Sequence, residues 1–191
     1  MNLKDMLTFS APSIENQVSD KLKVQRLNVR LLLDSKMLCT LLIWGLNDHF
    51  LKYKYPGFIV GKLSDVTSLI CTPILMLIVT LWISSQFPWL IKKIRWNQQK
   101  LYSLLLLYAC LMAFLMVAIN LNSQWAYLYC QGLGIAQWPW VGLWSYYQYG
   151  AWPPIPQVIL TMDAGDAWTA PTALLSLGIL RSALIKETLS I

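Results

Sequence analysis

GKLSDVTSLICTPILMLIVTLWISSQF, residues 61–87, is the stretch on which the fold class turns. Beyond Asp65 it carries no charged residue, and about 20 mostly apolar residues are enough for a helix to cross a hydrocarbon core roughly 30 Å thick. It reads as a spanning helix with a polar start marked by Lys62 and Asp65. Segments 35–54, 101–122 and 163–185 meet the same test of length and low charge. The first is the shortest of them, because Lys36 and Asp48 bracket its uncharged part.

Composition points the same way. The chain of 191 residues is 57% hydrophobic and 13% charged, outside the usual soluble range. The expectation is an all-α polytopic membrane protein, a four-helix transmembrane bundle over 35–190 behind a tail at 1–34. That tail shows no apolar run of signal-peptide length, and 17–33 reads as a mildly amphipathic basic helix suited to an anionic inner leaflet. The formal net charge of +6 does not imply nucleic acid, because the basic residues flank apolar segments instead of forming a soluble face. Cys39, Cys71 and Cys110 fall in apolar segments as small hydrophobes, which leaves Cys130 without an obvious disulfide partner.

Basic residues also set orientation. Lys21, Lys23, Arg26, Arg30 and Lys36 precede the first segment; Lys92, Lys93, Arg95 and Lys100 fill the turn after the second; Arg181 and Lys186 close the last. Four spans with both termini cytoplasmic put all three groups inside, although Lys52, Lys54 and Lys62 then lie outside. In that layout the 47–65 turn and the start of the last helix emerge together at the outer face of a bacterial inner membrane.

Between Lys100 and Asp163 there is no charge, and 123–162 is crowded with Trp and Tyr. Such rings favour the headgroup level. Gly132, Gly134, Pro139, Pro153, Pro154 and Pro156 predict an irregular or partly helical interfacial cap between the third and fourth helices. It would anchor in the bilayer interface or dock a membrane protein partner, with Trp138 and Trp140 as candidate ligand-binding residues.

Scarce charges gather around the 47–65 turn. Asp48, His49 and Asp65 are the candidate catalytic residues; Asn47, Lys52 and Lys62 would contact a ligand. With Asp163 and Asp166, the set Asp48, His49 and Asp65 offers one imidazole and four carboxylates, the donors that a divalent ion such as Mg, Mn or Zn would take as cofactor. A metal-assisted hydrolase or transferase acting on an envelope lipid, or a protein that binds such a lipid or an anion, is the function this chemistry suggests. A non-catalytic accessory or assembly subunit and an ion or proton translocator are the alternatives. Individually, these residues also serve simpler roles, Asp163 as a helix cap and Lys62 with Asp65 as an ion pair.

Asn47-Asp48-His49 with Lys52, Pro56-Gly57, Gly61-Lys62-Leu63-Ser64-Asp65, and Met162-Asp163 with Asp166 resemble the ordered NDHxLK, PGxxTGKLSD and MDxxD pattern of a family of small uncharacterised bacterial integral membrane proteins. Val60 stands where the pattern has threonine, and Ala164-Gly165 where it has Pro-Thr. The resemblance implies a four-helix membrane fold and weight on the Asp, His and Lys positions. It implies no activity.

Overall fold

A computed structural model describes residues 11–55, 57–87, 94 and 96–188, with side chains described between 22 and 185. The turn residue Pro56 and the basic residues Lys92, Lys93 and Arg95 lie outside the described residues. The chain is all-helical, with no strand among the described residues: α1 Ala11–Leu32, α2 Ser35–Leu46, α3 Phe58–Gln86, α4 Gln98–Leu121, α5 Ser123–Tyr149, a 3-10 helix Asp166–Leu175, and α6 Ser176–Thr188. Among the described residues, three stretches are long and apolar enough to cross a membrane: α3, α4 and the run Asp166–Ile185. The contacts divide the chain into two units, residues 1–112 with 171–191, and residues 113–170.

In the first unit, α1 shows why residues 17–33 read as amphipathic. Val24, Leu27 and Leu31 recur on one helical face and are buried. That face joins a cluster with Met37, Ile74, Leu77, Leu81, Leu101, Leu105, Leu180 and Leu184. The apolar stripe expected to face lipid instead packs on protein. The cluster draws on the start of α2, the second half of α3, the start of α4 and the end of α6, so these helices alternate in direction.

Hydroxyls inside α3 cost little because each is satisfied locally. Thr67, Thr72, Thr80 and Ser84 donate to carbonyls four residues back at 2.7–2.9 Å. Thr80 also meets the Tyr108 hydroxyl of α4 at 2.7 Å, a polar tie between two apolar helices.

Of the two expected forms of 123–162, irregular or partly helical, the second unit has the partly helical one. Ser123–Tyr149 is one helix of 27 residues, opened by Asn122, whose side chain accepts from the amides of Gln124 and Trp125, and closed by Gly150 in the left-handed region at φ 69°. Glycine serves close approach here, not helix breaking. A Cβ on Gly142 would overlap the Trp152 ring, and one on Gly134 would overlap the Pro156 carbonyl. Pro153, Pro154 and Pro156 hold the returning chain extended. It lies against α5, with Trp138 Nε1 donating to Pro153 O at 3.0 Å and Ser145 Oγ to Ala151 O at 3.0 Å. Twelve extended residues span ~40 Å, as do 27 helical ones, so 151–162 returns along the whole length of α5.

Gly142→Ala should therefore loosen this hairpin by about 1–3 kcal/mol, through overpacking against a large ring. Near-ultraviolet circular dichroism and thermal unfolding in detergent would register it, and an unchanged melting curve would show that Trp152 does not occupy that notch. Gly132, with open space around its Cβ position, is the matched control.

The last helix begins later than the sequence suggests. Asp163 does not open it; Asp163 Oδ1 accepts from Gly165 N at 2.8 Å in a local turn, and the helix starts at Asp166 in 3-10 form. Pro171, which has no N–H, lies inside that piece, and regular α geometry resumes at Ser176.

Candidate functional site

The 47–65 turn is built by a change in helical pitch. After Leu46 the chain continues as a π-helical turn, Asn47–Leu51, in which the Lys52 amide bonds the carbonyl of Asn47, and then one α-helical turn, Lys52–Lys54. The extra residue in that turn rotates the side chains beyond it, and single π turns of this kind recur at functional positions. The helical path thus runs unbroken over 35–54.

That rotation aims three side chains at α3. Asn47 is fully buried, with Nδ2 donating to Val60 O at 2.8 Å while Oδ1 has no hydrogen-bond partner. Asp48 Oδ1 accepts from Ser64 Oγ at 2.6 Å and forms an ion pair with Lys52 Nζ at 2.7 Å. Lys52 Nζ also donates to Ser64 Oγ at 3.1 Å. The result is a closed triangle of carboxylate, ammonium and hydroxyl joining the end of the first helical segment to the start of α3. Asp48 and Lys52 keep 34% and 45% of their side chains accessible, so the triangle faces outward while Asn47 beneath it does not.

Around the triangle the tip is basic and aromatic. Lys54 Nζ lies 5.3 Å from the Phe50 ring and 5.6 Å from the Tyr55 ring; Lys62 Nζ lies 5.0 Å from the Phe58 ring. Tyr53, Phe58 and Ile59 are largely exposed. Large apolar groups with cations held across their faces suit a boundary that is apolar on one side and wet on the other.

The residues singled out in the sequence separate into groups. Asn47, Asp48 and Lys52 come together with α3; His49 is exposed; Lys62 packs over Phe58; Asp65 is half-buried two turns into α3. Asp163 and Asp166 belong to the second unit, where Asp163 N donates to Asn120 Oδ1 at 3.1 Å and Asp166 O accepts from Thr169 Oγ1 at 2.6 Å. Trp138 is held edge-on against Trp152 at 5.8 Å, and Trp140 is exposed. Within each unit, no three His, Cys, Asp or Glu side chains among the described residues gather as ligands of one ion would have to. Of the expected donor set, Asp48, His49 and Asp65 lie in the first unit and Asp163 and Asp166 in the second.

Two polar residues escaped the sequence reading. Ser64 lies inside the GKLSD motif, but its hydroxyl gave no hint that it bridges Asp48 and Lys52. Asp34 is 2% exposed and caps α2, with Oδ1 accepting from Lys36 N at 3.0 Å and Oδ2 from Ser182 Oγ at 3.1 Å. Its position directly before an apolar helix was a readable N-cap signal.

No family model matches the chain, and the searches of curated proteins and of solved structures return no match to it.

Proposed function

We propose that the chain is a four-span protein of the bacterial inner membrane that binds a phosphate-bearing anion at the outer tip formed by residues 47–65. The observation that carries this reading is the pairing of Lys54 and Lys62 with exposed aromatic rings at the end of apolar helices, beside the outward-facing triangle of Asp48, Lys52 and Ser64. Alternation of the helical segments supports an even number of spans with both termini inside, the segment 35–54 being the fourth. Lys52, Lys54 and Lys62 set against Asp48 and Asp65 leave one cation in excess where the positive-inside rule would place few. An anionic partner accounts for that excess.

The role is binding. Both donors nearest Asp48 are already directed at its Oδ1, and His49 points to no described partner that would orient it as a base. A lipid headgroup and a free phosphate share the same chemistry here. Native mass spectrometry of the purified protein in detergent, with phosphatidylglycerol or inorganic phosphate added, separates them. Lys54→Gln with Lys62→Gln should lower retention of the anionic lipid about thirtyfold, from the loss of roughly 1 kcal/mol per cation near a charged surface. Equal retention by the variant, or equal binding of a zwitterionic lipid, would remove the proposal.

A further inference from the structure

The helix α5 carries no charged residue, and its polar side chains keep to one side. At about 100° per residue, Ser123, Gln124, Gln131, Gln137, Ser145 and Gln148 fall within an arc of about 140°. The positions that meet the returning chain lie in the same arc: Gly134 under the Pro156 carbonyl, Trp138 bonded to Pro153 O, Gly142 under the Trp152 ring and Ser145 bonded to Ala151 O. The remaining ~220° holds only apolar residues and tyrosines, and Trp125, Leu128, Ile135, Trp140, Leu143 and Tyr147 are exposed on it. Among the described residues no other helix packs along α5.

This helix starts where one of membrane-spanning length stops. Only Asn122, extended at φ −136° and ψ 120°, separates it from α4. The Phe114 and Trp125 rings stand 5.8 Å apart, whereas eleven residues of unbroken helix rise ~16 Å, so the chain turns sharply off the α4 axis at Asn122. The returning chain comes back to that level, where Asp163 N donates to Asn120 Oδ1 at 3.1 Å.

We infer that α5 lies flat on the bilayer, with the arc of Trp125, Leu128 and Leu143 sunk to the boundary between headgroups and acyl chains and the 151–162 segment on its water side. Three observations select a lipid surface as the occupant. The apolar arc is rich in indole and phenol rings, which favour that level, and it offers no charge for a protein partner to match. Long and apolar enough to cross hydrocarbon, α4 delivers the start of α5 to the same level. The third is the companion chain: 151–162 is extended, and among the described residues only its Ala151 and Pro153 carbonyls are engaged, by side chains of α5. Backbone so open is too costly to place in hydrocarbon, which prevents α5 and its companion from crossing the bilayer together and turns that side to water.

Spin labels on single cysteines test this in the full-length protein, with Cys39, Cys71, Cys110 and Cys130 replaced by alanine and the helical circular dichroism matched to the wild type. In phosphatidylcholine nanodiscs, the ratio of collisions with oxygen to collisions with an aqueous nickel chelate should oscillate along α5 with the helical period of about 3.6 residues. It should be high for labels at Leu128, Ala136 and Leu143 and low at Gln124, Gln131 and Gln137. Three outcomes would overturn the placement. A ratio that climbs steadily along α5 on both sides means that the helix enters the bilayer end-on. Labels at Leu128, Ala136 and Leu143 shielded from both reagents mean that a protein covers the arc, and the same labels open to nickel mean that it stands in water.

Discussion

Asp34→Ala is expected to destabilise the first unit by about 2–4 kcal/mol, seen as a lower SDS fraction at the midpoint of unfolding in mixed micelles. Two losses combine. The cap of α2 is worth ~1 kcal/mol, because Asp34 Oδ1 satisfies the Lys36 amide that begins the helix. The second is the lost partner: with the carboxylate gone, half-buried Ser182 loses its acceptor at Oδ2, and a polar group so stranded costs ~1–3 kcal/mol. Asp34→Asn distinguishes the contributions, since asparagine caps nearly as well as aspartate and still offers an oxygen. It should recover at least half of the loss. Ser182→Ala alone should cost ~0.6 kcal/mol, the average for a hydrogen bond between membrane helices. If Asp34→Ala unfolds at the wild-type midpoint, the junction between α1 and α2 does not carry the load assigned to it.

The long apolar segments were legible because a helix apolar and long enough to cross a bilayer is marked by composition alone. Residues 61–87 and 101–122 differ from α3 (Phe58–Gln86) and α4 (Gln98–Leu121) by three residues or fewer at each end. Legibility failed where tertiary partners decide. Gly134 reads as a helix breaker only while nothing is known to lie against it; with the returning chain in place, Gly134 and Gly142 are the positions where a helix lets a backbone carbonyl and an indole ring approach. Asp163 and Asp166 have the spacing of a capping pair, yet Asp163 turns back on Gly165 and the helix opens at Asp166. The clustering of polar residues over 47–65 was legible: Asn47, Asp48 and Lys52 meet Val60 and Ser64 across twelve to sixteen residues of sequence. It could not reveal the π turn that aims them, since helical pitch leaves no residue signature.

Asn47→Asp should be the most damaging isosteric change in the turn. Asparagine at this position is fully buried, and its one hydrogen bond is donated by Nδ2 to Val60 O at 2.8 Å. An ionised aspartate has the same shape but no donor, and would set a negative oxygen against that carbonyl, next to Asp48. A charge left buried without a partner costs ~3–5 kcal/mol, more than the packing of this turn can absorb. Acidification gives the carboxyl a proton and with it a donor, so the loss should shrink as pH falls, the reverse of what a surface carboxylate shows. Asn47→Leu keeps the branching, brings no charge and removes only the added donor to Val60 O, whose carbonyl lies within α3, for ~0.5–1.5 kcal/mol at any pH. Unfolding in mixed micelles at pH 5 and pH 8 reads both. A variant with Asp at 47 that is as stable as the wild type at pH 8 would mean that water reaches the floor of the turn. The Asp48, Lys52 and Ser64 triangle would then rest on an open cleft, and the anion proposed for the tip would have room to descend into it.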